Sequence, residues 1–332
     1  MRPAWIILSG AVLASAPAPA VANDSIAETA AGGLVLKQSA DIDMLSENLF
    51  VSAEQVRVRY VFRNRSGRDL RLTVAFPMPE RDLAAERESD VAFPSDFRTS
   101  VDGAPVKTQV ERKAMLGGTD HGRTLAGLGM PISPAASGRG IGEALDALPE
   151  AERARLVGLG LAEAHEYDAG RGMERHLAPM WTVAETWYWQ QLFPAGRDLV
   201  VEHSYRPGTG ASVSAALAMP DFRASPEGRA MIADYCVDAA FLAALDRLAR
   251  RAGADYPTLP EQRIGYILTT GANWRSPIGD FRLVVDKGAP ANIVSFCGSG
   301  VRRIGPTRFE MRRRDWRPDR DLKVLIVQPP PR

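Results

Sequence analysis

The sequence is short of the side chains that most often carry chemistry. Its 332 residues include two cysteines and four histidines. No histidine pair falls at the H-E-x-x-H spacing that sets two imidazoles on one helix face, and no serine has glycine at both flanking second positions. Neither a zinc-protease helix nor a nucleophile elbow is therefore present. Charge of one sign is missing too: 41 basic residues stand against 40 acidic ones, which removes the electrostatic footprint of a nucleic-acid binder. Beyond the first two dozen residues no apolar run approaches the roughly 18 that a membrane helix needs, so no membrane span is expected after them. The strand-helix-strand rhythm of a doubly wound enzyme is absent as well.

What is present begins at the N-terminus. Arg2 leads into an apolar run from Trp5 to Val12, and the small-residue exit Ala20-Val21-Ala22 precedes Asn23. A positive start, a short apolar middle and an A-x-A end form a cleavable secretory signal, so residues 1–22 are expected to be removed and the product to be periplasmic or secreted. No cysteine follows the cut to take a lipid. Arg2 is the one charge lost, which leaves 40 basic and 40 acidic residues. An exported location takes ATP, NAD and reduced glutathione out of the expected surroundings, and no cofactor or metal is expected. It also makes a Cys236–Cys297 disulfide the default. Closing a loop of 61 residues is worth about 4 kcal/mol in the chain-entropy model.

Alternation then fixes the class as mainly β with helical insertions. Val56, Val58, Tyr60 and Phe62 share one face, as do Leu70, Leu72, Val74 and Phe76, on either side of Asn64-Arg65-Ser66-Gly67. That pattern predicts a hairpin with one buried face and with Arg57, Arg59, Arg63 and Arg71 in water. A second hairpin is predicted from Phe97 to Val101 and Val106 to Arg112 around the Asp102-Gly103 turn, and a third from Trp181 to Tyr205 with Phe193 to Arg197 at its tip. Leu116 to Gly142 reads as a long loop, followed by two short helices, one starting at Pro149. Ser225-Pro226 announces a helix running toward Arg251, with a break near Cys236-Val237-Asp238 and Gly253 at its end. Five strands follow: 264–270, 281–285, 293–297, 308–314 and 322–327. The expected organisation is two antiparallel β-sandwich-like domains, 23–215 and 216–332. The first carries a glycine-rich loop and helical insertion over about 116–178, and the second opens with the long helix.

Candidate sites are few. Gly117 to Thr124 has the spacing of a phosphate loop, with Arg123 where lysine belongs, but lacks a buried strand before it. His165, Glu166, Asp168, Glu174 and His176 read as a solvated loop. The third hairpin gives the best candidate binding surface: Trp187, Trp189 and Tyr205 surround His203, and such rings suit a sugar or a protein hot spot. Glu185 and Glu202 face each other across it in the one acid-base arrangement worth testing. Arg302, Arg303, Arg312 to Arg314 and Arg317 offer a patch for anionic envelope polymers.

Several strings together resemble a known family: Asn23-Asp24-Ser25 with GGLVL at 32–36, YVFRN and FPMP within 60–79, FPAGRDLVVEHSYRPGTG at 193–210, and YILTTGANWRSPIGDFRLVVDKG at 266–288. The chain is similar along nearly its whole mature length to the bacterial exported family catalogued as domain of unknown function 4424. The resemblance implies export but brings no activity, cofactor or catalytic residue. Tyr60 to Pro79 alone is similar to the vault/inter-alpha-trypsin type of β domain. The leading expectation is a non-enzymatic envelope protein binding a protein or glycan partner. A hydrolase acting on envelope polymers through Glu185, Glu202 and His203, and a structural spacer, are the alternatives.

Overall fold

A computed structural model describes residues 23–30, 33–85, 93–134, 140–168, 170, 172–253 and 258–330. The expected signal, 1–22, lies outside the described residues. Alternating apolar residues build three sheets, with strands numbered here in chain order. The largest has the order β19 (Arg302–Arg303), β20 (Arg308–Trp316), β17 (Ile278–Asp286), β3 (Ile42–Val51), β4 (Val56–Asn64), β14 (Asp198–Arg206), β7 (Ser95–Val101), β8 (Ala104–Val106). The second runs β10 (Thr119–Asp120), β9 (Gln109–Leu116), β13 (Thr182–Phe193), β5 (Leu70–Pro77), β1 (Ser25–Ala30), β2 (Gly33–Lys37), with β6 (Arg81–Asp82) beside β13. The third is β15 (Thr209–Ser212), β16 (Glu261–Tyr266), β21 (Leu322–Val327), β18 (Ile293–Phe296), and β11 (Ala162–Asp168) with β12 (Met173–Pro179) forms a separate hairpin.

The inward rows of all three sheets meet in one core. Val58, Tyr60 and Phe62 come from the first sheet, Val74, Phe76 and Trp189 from the second, Ile264, Val324 and Ile326 from the third. The expected boundary at 215/216 is crossed by the largest sheet, because β17 pairs in parallel with β3, from Asp280 opposite Ser46 to Val285 opposite Val51. Strands of the C-terminal stretch thus complete a sheet begun by the N-terminal one, and the sheets do not follow two separate sandwiches.

Two of the three predicted hairpins are arches. β4 and β5 lie in different sheets, as do β13 and β14. Each pair buries its apolar face against the other through the thickness of the core instead of pairing edge to edge. Asn64 sets both turns. Its Nδ2 donates to Arg68 O at 2.8 Å and Phe193 O at 2.9 Å, and its Oδ1 accepts from Ser66 N at 2.9 Å. Gly196 N donates to Asn64 O at 3.1 Å, which seats the second arch on the first. Period-two burial is identical in a hairpin and an arch, so alternation does not separate them. The Asp102-Gly103 turn forms between β7 and β8, but the second strand is shorter than expected: it ends at Val106, and the residues from Gln109 onward form β9 of the second sheet.

The stretch from 116 to 142 is not one loop: β10 and α1 (Gly122–Gly127) lie within it. α2 (Ile141–Asp146) and α3 (Glu150–Gly158) follow, and Leu125, Leu145 and Leu156 share a core with Trp181, just ahead of β13, and with Val183 of the second sheet. After the short α4 (Pro220–Ala224), α5 (Pro226–Asp234) and α6 (Ala239–Ala252) reproduce the predicted broken helix. Ser225 Oγ accepts from Gly228 N, Asp238 Oδ1 accepts from Phe241 N, and Gly253 ends α6 at φ 66°. Phe241, Leu245 and Leu248 cover Leu325 and Val327 on the other side of the third sheet. Cys236 and Cys297 are joined, their Cα atoms 5.0 Å apart, tying the α5–α6 break to the end of β18.

Candidate functional site

The aromatic candidates face inward. Trp189, His203 and Tyr205 are 3 %, 2 % and 3 % exposed; the two aromatic rings belong to the main core, and the imidazole packs against Trp189 and Phe76 within it. Trp187 is half-buried, stacked on Phe97 at 4.9 Å, with Nε1 donating to Glu185 Oε1 at 2.9 Å. Because β13 and β14 belong to different sheets, neither Tyr188 nor Trp189 pairs with His203; the Trp189 ring meets the imidazole edge-on from across the core at 5.3 Å. A glycan platform needs open ring faces, and these rings spend theirs on one another. The acid-base set is dispersed for the same reason. Glu185 is buried on the second sheet against Arg112 Nε at 2.7 Å, and Glu202 stands on the outer face of the first, 3.6 Å from Arg59 Nε.

His203 instead centres a buried polar network that alternation alone did not reveal. Its Nε2 lies 3.1 and 3.2 Å from the two Asp24 oxygens and its Nδ1 lies 3.0 Å from Thr99 Oγ1. That connectivity resembles a catalytic relay, but Asp24 is fully buried and Thr99 is 5 % exposed on the inward side of β7, so no acyl donor reaches the hydroxyl. Burial raises the Asp24 carboxyl above its ordinary range, opposed by His203. Beside it, Glu47 accepts from Asn23 Nδ2 at 2.9 Å and from Tyr266 OH at 3.5 Å, and Tyr266 OH shares a 2.8 Å hydrogen bond with Tyr60 OH. A register shift in β3 between Met44 and Ser46 turns Glu47 inward with Leu49 and Val51. Burial, together with the Asp24 charge, pushes Glu47 up to about 8.

The surface with the makings of a site is the opposite, outer face of the same sheet. The alternation that buries Val56, Val58 and Tyr60 sends Arg57 and Arg59 outward, and β3, β7, β14, β17 and β20 add Asn48, Phe50, Arg98, Ser100, Glu202, Ser204, Arg282 and Arg308 around a concavity of about 690 Å³. Five arginines face one carboxylate there. Arg57 lies over the Phe50 ring at 4.8 Å and Arg308 at 5.9 Å, so Phe50 holds two guanidinium planes in place. Arg282 donates to Glu310 Oε1 at 2.8 Å and Asn48 Oδ1 at 3.2 Å, and Arg308 to Asp286 Oδ2 at 2.8 Å. Among the described residues Arg57 and Arg98 pair with no carboxylate. Asn48, Arg59 and Arg282 also line a second hollow of about 360 Å³, shared with Arg312 and with the acidic Glu47 and Asp280, which continues the concave surface along the sheet.

Glu310 anchors this edge. It receives Arg282, Arg302 and Arg312, and the hydrogen bonds from Arg312 and Arg282, outweighing burial, hold its carboxyl down at about 2. Part of the arginine patch expected from 302–317 therefore joins the face begun by Arg57 and Arg59. The alternating arginines of VRVRY and RFEMRRR signalled each half; that they converge depends on the sheet order.

The remaining candidates resolve simply. Gly117-Gly118 is the tight turn between β9 and β10, and Asp120 Oδ1 accepts from Ala114 N and Gly122 N, so these amides serve their own carboxylate rather than a phosphate. The segment read as a solvated loop is the β11–β12 hairpin, with His165 opposite His176 and His176 Nδ1 2.8 Å from Asp146 Oδ2 of α2. Among the described residues no group of three or more His, Cys, Asp or Glu side chains is arranged to hold a metal ion, and no helix is long and apolar enough to cross a membrane.

Fold and site together define a mainly β protein whose buried acid-base groups are sealed in the core and whose positive charge gathers on the outer face of its largest sheet. The chain belongs to the family described as Domain of unknown function (DUF4424), whose sequence model matches residues 22–325. No curated protein matches it. Among solved structures, a Legionella pneumophila protein described as "a putative nutrient binding protein" aligns over 92 % of this chain and 70 % of its own, at 14 % identity and a TM-score of 0.46. A likeness of that degree says nothing about what this chain binds.

Proposed function

We propose that this chain is an exported, non-enzymatic binding protein of the bacterial envelope, and that its ligand is an acidic glycan strand laid across the arginine face. The observation that carries this reading is the pair Arg57 and Arg98: two guanidiniums on a concave surface that, among the described residues, pair with no carboxylate. Guanidinium forks match carboxylate and phosphate groups in two-point geometry, and the adjoining hollow at Arg59, Arg282 and Arg312 suits an extended rather than a compact anion. The hydrolase alternative loses its support because Glu185, Glu202 and His203 occupy three separate surroundings. A pure spacer has no use for uncompensated charge held in register over Phe50.

The test is fluorescence anisotropy with a labelled sulfated or carboxylated oligosaccharide. Joint replacement Arg57→Glu and Arg98→Glu weakens binding by at least about tenfold, the effect of losing one charge-assisted hydrogen bond. Arg71→Glu, on the second sheet, leaves it unchanged. Equal affinity in all three proteins, or no binding by the parent, rejects the assignment. A duplex DNA of the same charge that binds as tightly rejects the glycan specificity.

A further inference from the structure

The buried network beneath the sheet has more carboxylates than cations. Asp24 and Glu47 are both fully buried. Asp24 has the His203 imidazole. Among the described residues no arginine, lysine or histidine forms an ion pair with Glu47, whose partners are the neutral Asn23 amide and the Tyr266 hydroxyl. An ionised carboxylate sealed in a core without a counter-charge is strongly disfavoured. Yet the site is built around it: Tyr60 orients Tyr266, and Gly271 leaves the space that Asn23 fills, since a Cβ there would come within 2.8 Å of Asn23 Nδ2.

The residue that reaches Glu47 is also the one that follows the expected cut. Asn23 is fully buried, its Oδ1 accepts from Asp24 N at 3.0 Å, and the chain then enters β1, where Ser25 Oγ donates to Lys37 O and accepts from Asn273 Nδ2. The family match begins at residue 22, beside the same point.

We infer that processing after Ala22 supplies the missing cation: the α-ammonium of Asn23 becomes a fixed counter-ion of Glu47 and locks β1 into the core. The step balances with water alone. An export-associated peptidase hydrolyses the Ala22–Asn23 amide; the hydroxyl goes to the Ala22 carbonyl, a hydrogen to the Asn23 nitrogen, and the freed amine takes up a proton near neutral pH. Before the cut, this nitrogen is a neutral amide and offers the carboxylates no charge. After it, Glu47 has a cation on the same residue whose side-chain amide already holds it. Cleavage is thus a folding signal as well as a release, by the same electrostatics that make a buried ion pair costly to break from one side.

The inference rests on the cut expected after Ala22, which N-terminal sequencing of the protein recovered from the envelope checks by itself; a different first residue removes the premise and leaves the glycan reading untouched. The lock is tested with chains 23–332, one with a free Asn23 amine and one retaining Gly-Ser ahead of it, each with and without Glu47→Gln. In thermal unfolding at pH 7 the free-amine chain melts about 5 °C higher than the extended one, and Glu47→Gln erases that gap. The gap also closes as pH rises through the amine's folded value, which the carboxylate lifts above the usual range near ~8. Independently, the folded chain's α-amine reacts with an amine-selective acylating reagent at least tenfold more slowly than in urea, a readout that stands even if Glu47→Gln does not fold. Equal melting of the two parent chains, a gap that survives Glu47→Gln, or full reactivity of the folded amine overturns the inference.

Discussion

Replacing Asn64 with alanine tests whether the two β-arches are held by one side chain. Asn64 is 1 % exposed. Its amide nitrogen serves the carbonyls of Arg68, in its own turn, and of Phe193, in the arch that follows β13, while its oxygen accepts from Ser66 N and Ser66 Oγ. Each such bond contributes about 1 kcal/mol net, and a buried carbonyl stripped of its donor costs about 1–3 kcal/mol. Phe193 O is the buried one, so Asn64→Ala should lower the unfolding free energy by about 3 kcal/mol. Asn64→Asp should lose nearly as much, because it keeps the acceptor for Ser66 and loses both donors. Ser66→Ala, on the solvent side, should cost under about 1 kcal/mol. Urea unfolding followed by tryptophan fluorescence gives the three values, provided the slope against denaturant is unchanged. A loss from Asn64→Ala no larger than that from Ser66→Ala would refute the claim that this residue joins the arches.

Three further outcomes follow from other parts of the molecule. Although burial pushes the Asp43 carboxyl up, hydrogen bonds from Arg275 and Arg65 outweigh it and hold the group below its ordinary range; its contribution is present above the unfolded value near ~3.9 and is lost as pH falls through the folded one. Acid unfolding of Asp43→Asn should therefore show a shallower loss of stability below about pH 4 than the parent. Reducing Cys236–Cys297, which closes 61 residues, should destabilise by up to about 4 kcal/mol in urea, with an unchanged transition arguing that the loop is already restrained when unfolded. Oligosaccharide affinity should fall steeply between low salt and physiological salt, whereas salt-insensitive binding would point to an apolar contact away from the arginines.

Much of the strand content was legible, and the partnering was not. Alternation located β4, β5, β13 and β14 to within a few residues, because burial of every second side chain leaves the same trace whatever lies opposite. Whether two such strands share an edge or face each other depends on the turn, and Asn64 joins the two arches through contacts to Phe193 and Gly196 far along the chain. The helix ends were readable for the opposite reason: Ser225, Asp238 and Gly253 act on neighbours within a turn. The aromatic stripe misled as a binding surface because Trp189, His203 and Tyr205 supply bulk where three sheets converge. Of the basic face, the arginines were visible and their convergence was not, since β4 and β17 meet only across β3. Glu47 gave the faintest signal, a charged residue at an inward position that a register shift in β3 creates.

The parallel pairing of β3 with β17 also sets when this protein is able to fold. The middle of the largest sheet stays open until the chain has been made as far as Asp286, and its other edge is closed later still by β20 and β19. Contacts this distant in sequence form slowly, so the largest sheet is completed only after most of the chain has been made, whereas the second, whose last strand ends at Phe193, needs no strand from the C-terminal stretch.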